Sequence, residues 1–231
     1  MRALAEVIAS TNRARDADFV DGLQSDGYAD TFLAPRALDQ VSTEIASRLG
    51  STTHLAVIDG DGACATVTCS NGSCSGVVVP GTGVHLNNML GEEDLNPSGF
   101  HSHLPGLRVP SMMAPTIVLA DNDVEIALGS AGSNRIRSAI VQTIANVIDG
   151  GMAAQAAVDA PRIHVEGDLI DAEPAVDPQA LDWLAGHDWN LRRWQDRNLY
   201  FGGVQAVVRD AAGGISGGGD PRRGGAVHSV E

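Results

Sequence analysis

At 231 residues, the chain is long enough for one sizeable domain with a hydrophobic core. A formal net charge of −14 makes its surface repel phosphate backbones, which argues against nucleic acid as a partner. The sequence lacks a run of about twenty apolar residues, so it predicts no membrane span.

The first 51 residues are predicted to be mainly helical. Apolar residues recur at helical spacing over 3–14 and again over 38–49, and Gly50 is the expected end of the second helix. The beginning of the chain, Met1–Val7, is typical of an amphipathic helix rather than of a signal peptide. The sequence therefore leaves the localisation open between the cytoplasm and export.

Two β-hairpins are predicted in the first half of the remaining chain. The first pairs Thr53–Ile58 with Ala63–Cys69 around an Asp-Gly-Asp-Gly turn. The second pairs Pro115–Ala120 with Val124–Leu128. Residues 80–113, which lie between the hairpins, are rich in loop-forming residues, and a connection of that length is usually functional.

Helices and further short strands are predicted for the second half. The clearest helix covers 136–148 and is apolar nearly all round, so it is expected to be buried with Ile140, Ile144 and Ile148 inside. A shorter helix over 153–160, several strands and one more helix beginning at a proline follow. This order of elements predicts layered α/β packing with mostly antiparallel strand pairing.

Short sequence blocks carry the functional signal through their order and spacing. They are Gly50–His54, Pro80–Gly83, Leu86–Asn88, Ser111–Thr116, Gly129–Ile136, Ala160–Arg162 and Gly219–Arg223. In this order and at these intervals, they resemble the C-terminal, small-subunit portion of the γ-glutamyltranspeptidases. The resemblance extends from the first predicted helix to the end of the chain.

The resemblance implies the α+β fold of the N-terminal nucleophile hydrolases, a four-layer αββα sandwich with mostly antiparallel sheets. Residues 1–51 would correspond to the tail of a large subunit, and residues 52–231 to a small-subunit-like domain. The family's large subunit supplies an arginine that clamps the substrate carboxylate, and nothing in residues 1–51 matches that segment. A large-subunit polypeptide is therefore the implied partner, and no cofactor is implied.

The resemblance assigns Thr52 as the nucleophile. In the family, the threonine hydroxyl attacks the preceding carbonyl, and the ester that forms is hydrolysed, which here would cut the Ser51–Thr52 bond. The α-amino group released on Thr52 has an ordinary pKa of about 7.7–8.0, so it can accept the hydroxyl proton near neutral pH. The implied activity is transfer and hydrolysis of γ-glutamyl groups from glutathione-like donors.

Three further positions correspond to residues around the family's nucleophile and its substrate. Ser70 stands where a hydroxyl residue hydrogen-bonds the nucleophile. Asn71 and Glu92 match an asparagine and an acidic residue that hold the α-amino group of the donor. Glu93 is an adjacent candidate for the acidic role, since the family usually has aspartate there.

The remaining candidates concern the donor carboxylate and the transition state. Ser111 matches one of two serines that contact the α-carboxylate, while Met112 replaces the second and donates no hydrogen bond. Gly132 and Ser133 fall at the family's paired-glycine oxyanion hole, which uses backbone N–H groups. Arg135 is expected to anchor this loop, although the same residues could form only a strand-to-helix turn.

Two other functions stay open at this point. One is an acylase of another amide, such as a cephalosporin side chain, on the same fold; Met112 favours it, whereas Asn71 and Glu92 favour an amino-acid donor. The other is a catalytically silent half that pairs with a second chain, which the short segment before Thr52 favours.

Some polar residues are given structural interpretations. His101 and His103 lack an evident third metal ligand, so no metal site is predicted. A disulfide between Cys69 and Cys74 is conceivable, but buried or half-buried thiols are favoured. Asp220–Arg222 is expected to form structural salt bridges.

Overall fold

The computed structural model describes residues 27–28, 34, 52–92, 95–96 and 98–230. The helices predicted over 3–14 and 38–49, and the proposed tail of a large subunit, lie outside these ranges. None of the helices within them is long and apolar enough to cross a bilayer.

The described ranges contain nine strands and three α-helices. The strands are β1 (Thr52–Ile58), β2 (Cys64–Ser70), β3 (Thr116–Ala120), β4 (Asp123–Ala131), β5 (Ile163–Glu166), β6 (Leu169–Ala172), β7 (Asn190–Arg193), β8 (Gly203–Arg209) and β9 (Ile215–Gly219). The helices are α1 (Arg135–Ile148), α2 (Ala154–Asp159) and α3 (Pro178–Ala185). Both predicted hairpins are confirmed, as β1–β2 and β3–β4.

The strands form three sheets. The hairpin β1–β2 packs on one face of a four-stranded antiparallel sheet of order β3-β4-β8-β9, and α1 and α2 cover the other face. The third sheet has the order β5-β6-β7, and its β6–β7 pair is parallel. The predicted mixed α+β fold with mostly antiparallel sheets is therefore confirmed. Helix layer, central sheet and hairpin supply three consecutive layers of the expected sandwich.

Successive side chains of β4 point to opposite faces of the sheet, and the two faces pack against different elements. Ile126 and Leu128 point to the helices and join the main core with Ile136 and Val158. On the opposite face, Ala127 and Gly129 are small, so the β1–β2 hairpin can approach closely. β4 continues to Ala131, so Gly129–Ala131 belong to the strand and the turn into α1 begins only at Gly132.

Helix α1 is buried on one side only, which corrects the expectation that a helix so apolar all round is largely buried. Ile140 lies in the core and Ile144 packs against it. Ile148 is 44% exposed and Val141 is 65% exposed, because the sheet covers a single face of the helix. The prediction that Ile148 points inward is wrong.

Four buried charged side chains connect the ends of α2, β6 and β9. Asp220 pairs with Arg162 at 2.8 Å and with Arg222 at 3.2 Å. Arg222 also pairs with Glu173, which follows β6. Both guanidinium groups donate to the carbonyl oxygen of Val158 in α2. Burial of these charges is tolerated because each has an opposite charge and further hydrogen bonds. The structural salt bridges predicted for Asp220–Arg222 are confirmed.

We expect Asp220→Ala to lower the free energy of unfolding by about 3–5 kcal/mol, because it leaves Arg162 and Arg222 buried with less charge compensation. The matched control is Asp182→Ala, which removes an exposed ion pair with Arg193 and should cost less than about 1 kcal/mol. Urea denaturation of both variants measures the difference. Equal losses in the two variants would contradict a stabilising role for the buried charges.

Candidate active site

The register of the first hairpin places two hydroxyl groups together. Thr52 opens β1 and Ser70 closes β2, and the two residues are directly paired. The Thr52 Oγ1 and Ser70 Oγ atoms lie 2.8 Å apart. Ser70 Oγ also accepts the backbone N–H of Gly72 at 2.9 Å, which holds the hydroxyl in place. Ser70 can therefore orient the hydroxyl of Thr52.

A tight turn after β2 brings an acidic group to the same cleft. The Ser73 backbone N–H donates to Glu92 Oε1 at 3.0 Å and to Asn88 Oδ1 at 2.7 Å, and the Ser73 hydroxyl donates to the same Glu92 oxygen at 3.1 Å. Gly72 makes this approach possible, because a Cβ atom there would lie 2.6 Å from Glu92 Oε1. The carboxylate of Glu92 is thus fixed at the cleft that Thr52 also lines.

The turn between β4 and α1 forms another part of the cleft. Gly132 has φ 135° and Ser133 has φ 52°, so both residues have left-handed backbone conformations. A Cβ atom on Gly132 would lie 2.8 Å from the Cα atom of Gly202, which leaves no space for a side chain. The carbonyl oxygens of Gly132 and Ser133 accept the first N–H groups of α1, from Arg135 and Ile136. The turn formed by Gly132 and Ser133 therefore lines the same cleft as Thr52.

His54 is buried beneath β1, the strand that begins at Thr52. Its Nδ1 atom lies 2.8 Å from Thr68 Oγ1 and its Nε2 atom 3.0 Å from Thr66 Oγ1. Burial lowers the pKa of His54 to about 4, so the ring is neutral near pH 7. Its ring packs directly on the Cα atom of Gly129, where a Cβ atom would clash. His54 therefore sets the spacing between β1 and β4, and both of its nitrogens are occupied.

Two arginines line the cleft. Arg135 Nε donates to the carbonyl oxygen of Tyr200 at 3.2 Å, and its guanidinium lies 4.6 Å from the centre of the Tyr200 ring. The Tyr200 hydroxyl donates to buried Asp171 at 2.8 Å. Arg223 Nη2 donates to the Leu199 carbonyl oxygen at 3.0 Å. Burial, together with the nearby charge of Arg135, lowers the pKa of Arg223 to about 10.

Comparison with known proteins assigns the family. The model of the gamma-glutamyltranspeptidase family matches residues 9–230. The chain belongs to this family.

Several family members are similar to the chain over a large part of its length. The Acylase ACY 1 proenzyme of Pseudomonas sp. (strain SE83) is 36% identical over 162 residues, covering 67% of this chain and 28% of that protein. The Glutathione hydrolase proenzyme of Bacillus subtilis (strain 168) is 34% identical over 185 residues, covering 78% of this chain and 31% of that protein. The chain therefore spans about a third of the length of these relatives.

Solved structures of the gamma-glutamyltranspeptidase family share the fold. Gamma-glutamyltranspeptidase from Pseudomonas nitroreducens complexed with L-DON is 29% identical with a TM-score of 0.65, and the match covers 78% of this chain and all of that one. Cephalosporin acylase from Bacillus halodurans is 29% identical with a TM-score of 0.68, over 87% of this chain and 39% of that one.

The cleft collects most of the predicted site residues of this gamma-glutamyltranspeptidase family member. Those that line it are Thr52, Ser70, Glu92, Gly132 and Ser133. Asn71 and Ser111 are not among the lining residues, and Ser51 and Glu93 lie outside the part of the chain that the structure describes. Their roles, like those of the lining residues, stay predictions.

The segments that contain Asn71 and Ser111 contribute to the cleft through neighbouring residues. The Asn71 backbone carbonyl accepts the N–H groups of Cys74 and Asn88 and so frames the turn that carries Ser73. Ser111 does not line the cleft, but the two residues after it do, so three methionines line the cleft: Met89, Met112 and Met113.

Sequence reasoning missed Arg223, Ser73 and two of these methionines. The two consecutive arginines after Asp220 could have indicated Arg223, but the sequence analysis assigned this segment only a structural role, which belongs to Arg222. Within the described ranges, no group of three or more His, Cys, Asp or Glu side chains could hold a metal ion.

We expect His54 to destabilise the protein as the pH falls. Its pKa is about 4 in the folded state and 6.5 when unfolded, so the unfolded state takes up the proton first. Stability should therefore be complete above pH 6.5 and fall as the pH drops towards 4, by about 3 kcal/mol from this residue.

Urea denaturation at several pH values between 7 and 4 measures this loss, with His54→Gln as the control that cannot be protonated in the range. The stability difference between the parent protein and the variant should shrink as the pH falls. A difference that stays constant with pH would show that His54 does not titrate with folding.

Proposed function

We propose that this chain carries the catalytic centre of a γ-glutamyl transferase and hydrolase of glutathione-like donors. The observation that carries the proposal is the Thr52–Ser70 hydroxyl pair, which lies in one cleft with Glu92 and the Gly132–Ser133 turn. A nucleophile, a carboxylate for the donor ammonium and two backbone N–H groups for an oxyanion are the parts that such a reaction requires.

We infer that Thr52 becomes active only after the bond to Ser51 is cut. The N-terminal threonine then uses its own α-amino group as the base, since His54 is neutral with both nitrogens occupied and is directed into the sandwich. Two comparisons support this cleavage. Relatives carry the word proenzyme in their names, and the solved chain matched over its whole length covers 78% of this chain. Residues 52–231 make up the same share, 180 of 231 residues.

The proposed reaction has two acyl transfers. The Thr52 hydroxyl attacks the γ-carbonyl carbon of the donor and gives its proton to the α-amino group. The carbonyl oxygen becomes an oxyanion beside the N–H groups of Gly132 and Ser133. Collapse expels the leaving amine, which takes the proton, and leaves an ester on Thr52. Water or an acceptor amine then attacks the ester by the reverse sequence. The chain itself supplies every group in these steps, so no cofactor is required.

A second candidate function is an acylase of another amide. The three methionine side chains of the cleft favour it, because they give an adaptable apolar wall where hydroxyl donors were expected. Similarity to Acylase ACY 1 at 36% identity points the same way. The two functions differ in the donor: a γ-glutamyl group carries an ammonium that can pair with Glu92, and a glutaryl group does not.

We also propose that a large-subunit polypeptide completes the cleft, because the chain spans only 28% and 31% of the relatives described above. Release of p-nitroaniline from γ-glutamyl-p-nitroanilide, with and without the large subunit, tests this. Turnover only with the large subunit supports the partner, and turnover in neither case would favour a catalytically silent chain.

The first variant to test in the full-length protein is Thr52→Ala. It should block cleavage and lower turnover by more than about 1,000-fold, because both steps need the hydroxyl. Thr52→Ser should retain part of both, since its hydroxyl survives without the methyl group that restricts χ1. N-terminal sequencing of the smaller product and the anilide assay are the measurements. The control is Thr53→Ala, on the opposite, exposed face of β1, which should be processed normally. A product that begins at another residue would refute the mechanism.

We expect Glu92→Gln to weaken the binding of γ-glutamyl donors selectively. Glutamine keeps an oxygen for the Ser73 donors but removes the charge that pairs with the donor ammonium, a loss of about 2–5 kcal/mol for a buried pair. KM for γ-glutamyl-p-nitroanilide should rise, with little change for glutaryl-p-nitroanilide. The control is Glu166→Gln, an exposed carboxylate on β5. An equal rise in KM for both donors would show that Glu92 does not bind the donor ammonium.

A further inference from the structure

We propose that Tyr200 is a positioning residue for the Gly132–Ser133 turn and that it acts through Arg135. The inference rests on the proposed function, in which the N–H groups of this turn stabilise the oxyanion that forms from the carbonyl group of the acyl donor. Tyr200 is buried and is not among the residues that line the cleft. Its role is therefore to hold the N–H groups in place and not to contact the substrate.

The backbone of the Gly132–Ser133 turn requires support from neighbouring segments. Ser133 has φ 52°, a left-handed conformation that is unfavourable for a residue with a side chain. Such conformations persist where the surrounding contacts hold them. Gly202 provides one such contact, because its Cα atom lies 2.8 Å from the position of a Cβ atom on Gly132. This close approach fixes the distance between the two backbones, and the orientation of the turn depends on further contacts.

Arg135 and Tyr200 supply the contact that orients the turn. Arg135 is the first residue of α1, and its backbone N–H donates to the carbonyl oxygen of Gly132 at 3.0 Å. Its side chain contacts Tyr200 twice: Nε donates to the carbonyl oxygen at 3.2 Å, and the guanidinium lies 4.6 Å from the ring centre. A cation over an aromatic face is attracted by the ring. Arg135 therefore connects the turn to Tyr200 through both its backbone and its side chain.

The third sheet fixes the ring of Tyr200. Its hydroxyl donates at 2.8 Å to Asp171 on β6, a carboxylate that is only 1% exposed. Asp171 also accepts the Trp194 Nε1–H at 2.7 Å and pairs with Arg192 on β7. The Tyr200 ring stacks on Trp194, with 4.9 Å between the ring centres. Hydrogen bonds to an ionised carboxylate are strong, so the ring that Arg135 covers has a fixed orientation.

A positioning role and a purely structural role predict different kinetics. Lost packing lowers the amount of active enzyme and reduces the rates of all substrates by one factor. A displaced turn weakens the stabilisation of the oxyanion, and this loss is smaller when sulfur replaces the reacting oxygen, because sulfur is larger and accepts hydrogen bonds weakly. The ratio of kcat/KM for γ-glutamyl-p-nitroanilide to that for its thioanilide analogue measures this difference. The ratio does not depend on the concentration of active enzyme.

In the full-length protein, Tyr200→Leu should lower kcat for the anilide about 30-fold or more with little change in KM, because the oxyanion forms only in the transition state. The oxygen-to-sulfur ratio should fall about tenfold. Tyr200→Phe should keep most of the ratio, since the ring and the carbonyl oxygen remain. Arg135→Lys should lower the ratio, because the charge remains while the planar group and Nε are lost.

The double variant Arg135→Lys/Tyr200→Leu should have the ratio of Tyr200→Leu alone, because both changes remove the same contact. The matched control is Leu181→Ala, which truncates a buried side chain of α3 outside the cleft and should lower stability without changing the ratio. A parent-like ratio in Tyr200→Leu, or additive effects in the double variant, would overturn the inference while the proposed function stands. If Tyr200→Leu does not fold, a parent-like ratio in Arg135→Lys overturns it.

Hydrogen exchange measured by mass spectrometry decides the role of Tyr200 if the parent protein turns over neither substrate, in which case the proposed function fails. The N–H groups of Arg135 and Ile136 donate to the carbonyl oxygens of the turn, so their exchange reports on it. Tyr200→Leu should raise exchange in peptides covering residues 129–136 about tenfold, whereas Tyr200→Phe and Leu181→Ala should not. Unchanged exchange in Tyr200→Leu, or an equal rise in Leu181→Ala, would overturn the inference.

Discussion

The buried charge network around Asp220 is the interaction on which the rest of the structure depends. It compensates two guanidinium groups, of Arg162 and Arg222, in a place where an unpaired charge would be very costly. Asp220 also accepts the backbone N–H of Val204, so the network ties β8 to the end of β9. These contacts fix the turn that carries Arg223, and the edge of the cleft is thereby linked to the most buried polar part of the molecule.

Close backbone approaches determine the shape of the cleft. Gly129 lies under the ring of His54, and Gly132 lies against Gly202. A side chain at either glycine would force strands or turns apart, because both contacts are already closer than a Cβ atom allows. The spacing between β1 and the Gly132–Ser133 turn is therefore set by the absence of side chains at these glycines. The geometry of the cleft therefore depends on glycine positions as much as on the polar side chains that line it.

The cleft combines few charges with a flexible apolar wall. Thr52 and Ser70 provide neutral hydroxyl groups, and the carboxylate of Glu92 is fixed by donors from Ser73. Met112 presents a polarisable side chain that can adapt to the shape of a ligand in the cleft. The polar groups of such a cleft can discriminate between ligands by hydrogen bonding, whereas its methionine wall discriminates little in this way.

The sequence by itself determined the hairpins, the order of the elements and the position of Thr52 at the start of β1. These features are local: strand alternation, turn residues and helix periodicity depend on neighbours along the chain. Only the tertiary structure decided that Arg223 and Met113 line the cleft, that Ser111 does not, and that Ile148 is exposed. Each of these outcomes depends on which surface another segment covers, and residues distant in sequence set that surface through packing rather than through local preference.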